Sequence, residues 1–106
     1  MNPMQLAHSK AIITGAASGI GRAIAVSLAK RKCNLIITDI NTQGLDETAQ
    51  LVKSHDIQVS CHKLDVADKQ AINDFAKKVQ AEHEHIDLLI NNAGVAQWGT
   101  FEQVSE

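Results

Sequence analysis

The stretch Thr14-Gly15-Ala16-Ala17-Ser18-Gly19-Ile20-Gly21 has the residue types to bind a phosphate group. Glycines permit positive φ and let a ligand approach the backbone. A helix opening here would present unpaired N–H groups and a partial positive charge. Both suit a pyrophosphate. Three residues separate Gly15 from Gly19 and one separates Gly19 from Gly21, so the spacing is not the common G-x-G-x-x-G. Eighteen residues beyond Gly21 stands Asp39. A carboxylate about 20 residues after such a loop is placed to accept hydrogen bonds from a ribose. It would also repel a 2′-phosphate: two unit charges ~4 Å apart at an effective dielectric near 20 interact by roughly 4 kcal/mol.

Two more polar features follow apolar runs. Leu64-Asp65-Val66 offers a carboxylate to an adenine amino group, with a backbone N–H for a ring nitrogen. Asn91-Asn92-Ala93-Gly94 combines small residues that allow close approach to a sugar with amides that can tie strand ends together. Each feature also has a plain structural account. The glycines would serve a tight strand-to-helix turn, Asp39 and Asp65 would cap the helices that follow, and Asn91-Asn92 would make an ordinary turn.

The elements that must position these residues can be read from periodicity. Strands are expected at Lys10 to Thr14, Leu35 to Thr38, Ile57 to Leu64 and Asp87 to Ile90. Helices are expected at Gly19 to Lys32, from a Thr42 cap to about His55, and from an Asp68 cap to about Glu84. Their inward faces are read as Ile20, Ala23, Ile24 and Leu28; Leu45, Ala49 and Val52; and Ile72, Phe75, Ala76 and Val79. The order βαβαβαβ calls for an α/β fold, a parallel sheet with helices on both faces. With right-handed crossovers and strand order 3-2-1-4, it is the first half of a doubly wound Rossmann fold. Every one of the four polar features then falls at the carboxyl end of a strand, where open parallel sheets bind ligands.

On these motifs the sequence resembles the classical short-chain dehydrogenase/reductase family. TGAASGIG, the Asp closing the second strand, LDV and NNAG occur in that family's order, and the resemblance spans essentially the whole chain. It implies that Gly15, Ser18, Gly19, Ile20 and Gly21 line the pyrophosphate and ribose of a dinucleotide. Asp39 and Ile40 would hold the adenosine ribose region, and Asp65 and Val66 would contact adenine. Asn92, Ala93 and Gly94 would lie toward the nicotinamide ribose, with Asn91 bracing the sheet. In this family a basic residue before the second glycine favours NADP; here it is Ser18, which agrees with Asp39 in pointing to NAD. The activity implied is NAD-dependent hydride transfer between an alcohol and a ketone.

Residues 1–106 are therefore read as one NAD-binding part that stops short of the catalytic segment. The family's catalytic Asn-Ser-Tyr-Lys group, with its Tyr-x-x-x-Lys spacing, is expected downstream of Glu106, and the chain contains no tyrosine. No catalytic residue and no metal ligand is assigned within it. His83-Glu84-His85 is read as a solvated helix end, because residues two apart on a helix do not face the same way. Cys61-His62 is read as a core cysteine and an exposed histidine. Arg22 is taken as an exposed arginine in preference to a phosphate ligand. Trp98 is read as flanking the substrate mouth or equally as a loop anchor.

A net charge of −2 argues against nucleic-acid or membrane partners. The apolar runs fall far short of the ~20 residues of a membrane span. Two scattered cysteines and the absence of an apolar leader lead to the expectation of a cytoplasmic protein. The expected partners are a small alcohol or ketone in the full-length protein and further copies of the chain. The alternatives are a nucleotide-binding module without catalysis, or an inert fragment that self-associates through its fourth strand. The NNAG stretch and the Gly15–Gly19 gap argue against a methyltransferase. The absence of Gly-Lys-[Ser/Thr] excludes a nucleoside-triphosphate P-loop.

Overall fold

The computed structural model describes residues 7–83 and 85–93. Four strands, β1 (Lys10–Thr14), β2 (Asn34–Asp39), β3 (Val59–Lys63) and β4 (Leu88–Asn91), alternate with three helices, α1 (Gly19–Lys30), α2 (Thr42–Lys53) and α3 (Lys69–Glu82). The strands pair in the order β3-β2-β1-β4. All three pairings are parallel, with Ile13 opposite Ile37 and Ile90, and Ile37 opposite Cys61. This is the expected half of a doubly wound sheet.

Strand alternation sorts the core into two halves. Ala11, Ile13, Leu35 and Ile37 pack with Ala25, Ala29, Leu45, Ala49 and Val52, which places α1 and α2 on one face. Ile12 and Ile36 pack with Leu64, Ile72, Phe75, Ala76 and Val79, which places α3 on the other. The inward faces expected for α2 and α3 are the buried ones.

The expected face of α1 needs correction. Gly21, Ala25 and Ala29 are its buried residues, Ile24 and Leu28 are partly buried, Ala23 is exposed, and Ile20 is 71% exposed. Small side chains let the helix sit close to the sheet, so the seam runs through them and the larger Ile20 is left outside. α1 also ends two residues early. Lys32 takes φ of 66°, and the Cys33 and Lys32 amides donate to Leu28 and Ala29. That double bond pattern closes a helix in the left-handed conformation.

The cap of α2 is Asn41 rather than Thr42; its side chain accepts from the Gly44 amide at 3.1 Å. Asp68 caps α3 as expected, accepting from Ala71 at 3.1 Å. The Cys61-His62 reading is reversed. Cys61 is exposed, whereas His62 is half-buried with its ring 5.2 Å from that of Phe75. β3 is an edge strand, so its α2 side is open at Cys61 while its other side lies under α3.

α3 stops at Glu82, with His83 in extended conformation. His85 is exposed and pairs with Asp87 at 3.2 Å. Asp87 in turn accepts from the Lys10 amide at 2.8 Å and fixes the start of β4 beside β1. Gly94, Trp98 and the segment leading to Phe101 lie outside the described residues.

Candidate functional site

The loop between β1 and α1 is built around two left-handed glycines, Gly15 at φ 66° and Gly19 at φ 58°. Gly21 is there for a different reason. A Cβ on Gly21 would lie 2.0 Å from the Gly15 carbonyl oxygen, so only glycine lets α1 pass this close to the end of β1. A Cβ on Gly19 would meet nothing within 4 Å. The space over Gly19 is thus open, at the N-terminus of a 12-residue helix. Ser18 occupies the cap position in extended conformation, but its side chain makes no capping bond. Among the described residues no side chain caps the first N–H groups of α1, so they can serve another acceptor.

The other strand ends close around this loop. Asp39 accepts from the Ala17 amide through Oδ2 and from the Asn41 amide through Oδ1, both at 2.9 Å. It is therefore not the cap of α2; it braces the glycine loop from β2. Asp65 accepts from the Ala67 amide at 2.9 Å and is otherwise exposed. The Thr14 hydroxyl donates to Asn91 Oδ1 at 2.8 Å and accepts from the Ala93 amide at 3.1 Å. Asn92 Nδ2 donates to the Gly15 carbonyl at 3.2 Å. Asn91 braces β4 against β1, as its place in the sequence led us to expect, while Asn92 holds the first glycine.

Gly15, Asp39, Ile40, Leu64, Asp65, Val66 and Ala93 line one cleft of about 280 Å³ at the carboxyl ends of the strands. Of the residues singled out from the sequence, Ser18, Gly19, Ile20, Gly21 and Asn92 belong to the loop and its brace beside that cleft, and Gly94 is not described. Ile20 and Ile40 are large apolar residues left 71% and 59% exposed. A second hollow of about 310 Å³ opens at the amino ends of β2 and β3, lined by Asn34, Leu35, Gln58, Val59 and His62 among others. It is at the end of the sheet opposite the glycine loop.

Three residues that build the site were not singled out for it. Arg22 is no free surface cation. Its guanidinium donates to the Ala17 and Gly44 carbonyls, to Thr48 Oγ1 and to Glu47 Oε1, and its side chain is 28% exposed. Thr48 is fully buried and donates to the Ala16 carbonyl at 2.7 Å. A Cβ on Gly44 would lie 2.9 Å from both Ala17 Cβ and the Ala17 carbonyl oxygen. A glycine inside the first turn of a helix is a sequence signal for such close contact; Thr48 carries no comparable signal.

Comparison with known proteins gives this arrangement a context. Estradiol 17-beta-dehydrogenase 11 of Homo sapiens is 44% identical over 84 residues, covering 79% of this chain and 28% of that protein. The carveol dehydrogenase of Mycobacterium avium, solved with NAD, superposes with a TM-score of 0.76 at 32% identity over 85% of this chain and 37% of that one. A metagenomic short-chain oxidoreductase solved with NADP gives 0.80 at 33% identity, over 89% and 42%. The chain spans about a third of the length of the curated relatives it matches. The short chain dehydrogenase profile matches residues 9–106, and the chain belongs to that family.

Proposed function

We propose that this chain holds NAD and supplies the cofactor half of an alcohol/ketone oxidoreductase. The observation that carries the reading is the meeting of Gly15, Asp39, Ile40, Asp65, Val66 and Ala93 on one cleft beside an open helix N-terminus. The free space over Gly19 fits a group that must approach the backbone. In this reading Gly15, Ser18, Gly19, Ile20 and Gly21 take the pyrophosphate and ribose, Asp39 and Ile40 the adenosine ribose, and Asp65 and Val66 the adenine. Asn92, Ala93 and Gly94 line the way to the nicotinamide. NAD, once bound, supplies a hydride acceptor.

The similar structures carry NAD in one case and NADP in another. We assign NAD here on the chain's own residues. The Asp39 carboxylate would face a 2′-phosphate with like charge, and Ser18 offers no cation to offset it. The chain has no tyrosine. We therefore assign these residues binding without turnover, since general acid–base catalysis contributes roughly 10²–10⁴-fold and the tyrosine that performs it in this family is not among them. In the full-length protein we expect a small alcohol or ketone substrate, self-association and a cytoplasmic site of action.

Titration of the chain with ADP tests the reading, because ADP contains the parts these residues would recognise. Saturable binding competed by NADH supports it. Failure of ADP to bind at millimolar concentration overturns it.

A further inference from the structure

We infer that Arg22 and Thr48 are positioning residues that clamp the glycine loop from its α2 side and hold its backbone in a ligand-competent shape. The inference rests on the reading of that loop as a dinucleotide site. It starts from Ala16 and Ala17, which are buried at 0% and 2% exposure. Buried backbone groups need partners, and all four of theirs come from outside the loop. The Ala16 amide donates to the Thr38 carbonyl at 3.0 Å, and the Ala17 amide donates to Asp39 at 2.9 Å. The Ala16 carbonyl accepts from Thr48, and the Ala17 carbonyl accepts from Arg22. The amides are thus fastened to β2, while the carbonyls are fastened by two side chains from the helices.

The two side chains act together. Arg22 Nε donates to Thr48 Oγ1 at 2.9 Å, and the single hydroxyl proton of Thr48 faces the Ala16 carbonyl at 2.7 Å, with the Gly44 carbonyl farther off at 3.2 Å. The same Nη2 that holds Ala17 lies 3.0 Å from the Gly44 carbonyl and shares its two protons among Ala17, Gly44 and Glu47, and Gly44 itself packs against Ala17. The Arg22–Glu47 contact at 3.1 Å is half in solvent and contributes little. The functional consequence concerns charge. A peptide carbonyl turned into the cleft would oppose phosphate oxygens with like partial charge. With Ala16 and Ala17 held on the α2 side, the loop is kept from turning that way.

The test uses Thr48→Val, which keeps the shape and removes the hydroxyl, with Thr48→Ser as the rescue and Arg22→Lys as a second variant. Amide hydrogen exchange is followed in the chain without ligand, and NADH affinity is measured separately. Thr48→Val and Arg22→Lys should each speed exchange at Ala16 and Ala17 about tenfold, while Ile12 and Ile36 change less than about twofold. NADH binding should weaken about tenfold in the same two variants. Thr48→Ser should stay near the parent in both readouts. Unchanged loop exchange, or a uniform rise across the sheet, overturns the inference. So does faster loop exchange with unaltered NADH affinity. If the parent chain binds no NADH but the loop exchange behaves as stated, the clamp stands and the dinucleotide reading fails.

Discussion

The Asp39 carboxylate and the Ala17 amide are joined by a 2.9 Å hydrogen bond from the end of β2 to the glycine loop. One residue thereby belongs to both halves of the cleft. Its second oxygen takes the Asn41 amide, and the lone pairs that remain are the ones a ribose would use. Asp39→Ala removes the loop brace and the negative charge together. The affinities for NADH and NADPH then respond differently. NADH should weaken by about 10-fold or more, since a charged hydrogen-bond partner is lost. NADPH should lose less, because repulsion of its phosphate is relieved. The ratio of the two dissociation constants is the readout, and an unchanged ratio removes Asp39 from the selectivity account.

Gly19 and Gly21 should respond to alanine for different reasons, Gly21 mainly in stability and Gly19 mainly in ligand affinity. At Gly21 the new Cβ runs into the Gly15 carbonyl at 2.0 Å, a backbone atom that cannot step aside. Denaturant unfolding should show a loss of about 3 kcal/mol. At Gly19 there is no clash, and only the positive φ is costly, at about 1–2 kcal/mol. Gly19→Ala should stay folded and still lose NADH affinity, because its methyl group enters the space assigned to the ligand. Parent-like affinity in folded Gly19→Ala would show that nothing lies against that glycine.

His62 gives the fold a pH dependence. Burial holds its imidazole below the ordinary value of 6.5; Lys78 and His83 push the same way and Glu82 pushes back. The unfolded chain therefore takes up the proton first as pH falls. The stability tied to this group is complete above about 6.5 and is lost as pH drops toward the folded value. Thermal unfolding between roughly pH 8 and 5 should show the melting temperature falling less steeply on the acid side in His62→Leu than in the parent. Parallel curves would mean that His62 titrates alike in both states.

Much of this molecule is legible in its sequence because the periods are strong. Isoleucines at 12, 13, 36 and 37 sit in short apolar runs between amphipathic segments, and a parallel sheet covered on both faces follows from that order alone. The cleft was legible for the same reason: Gly15 and Asn92 directly follow β1 and β4, Asp39 ends β2, and Asp65 lies two residues beyond β3. What escaped was decided by tertiary contact. The seam of α1 is set by how close Gly21 can come to Gly15, not by the hydrophobicity of Ile20. Cys61 is exposed because β3 is an edge strand, a fact about neighbours across the sheet. Arg22 and Thr48 lie 26 residues apart, and no local pattern joins a helix arginine to a threonine on the next helix.

The most direct measurement is a titration of this chain with NADH and with NADPH, followed by calorimetry at fixed ionic strength. The account predicts saturable binding of NADH and binding of NADPH weaker by at least about 10-fold, as like charges at Asp39 require. No saturable signal from NADH at millimolar concentration, or NADPH bound as tightly as NADH, would contradict it.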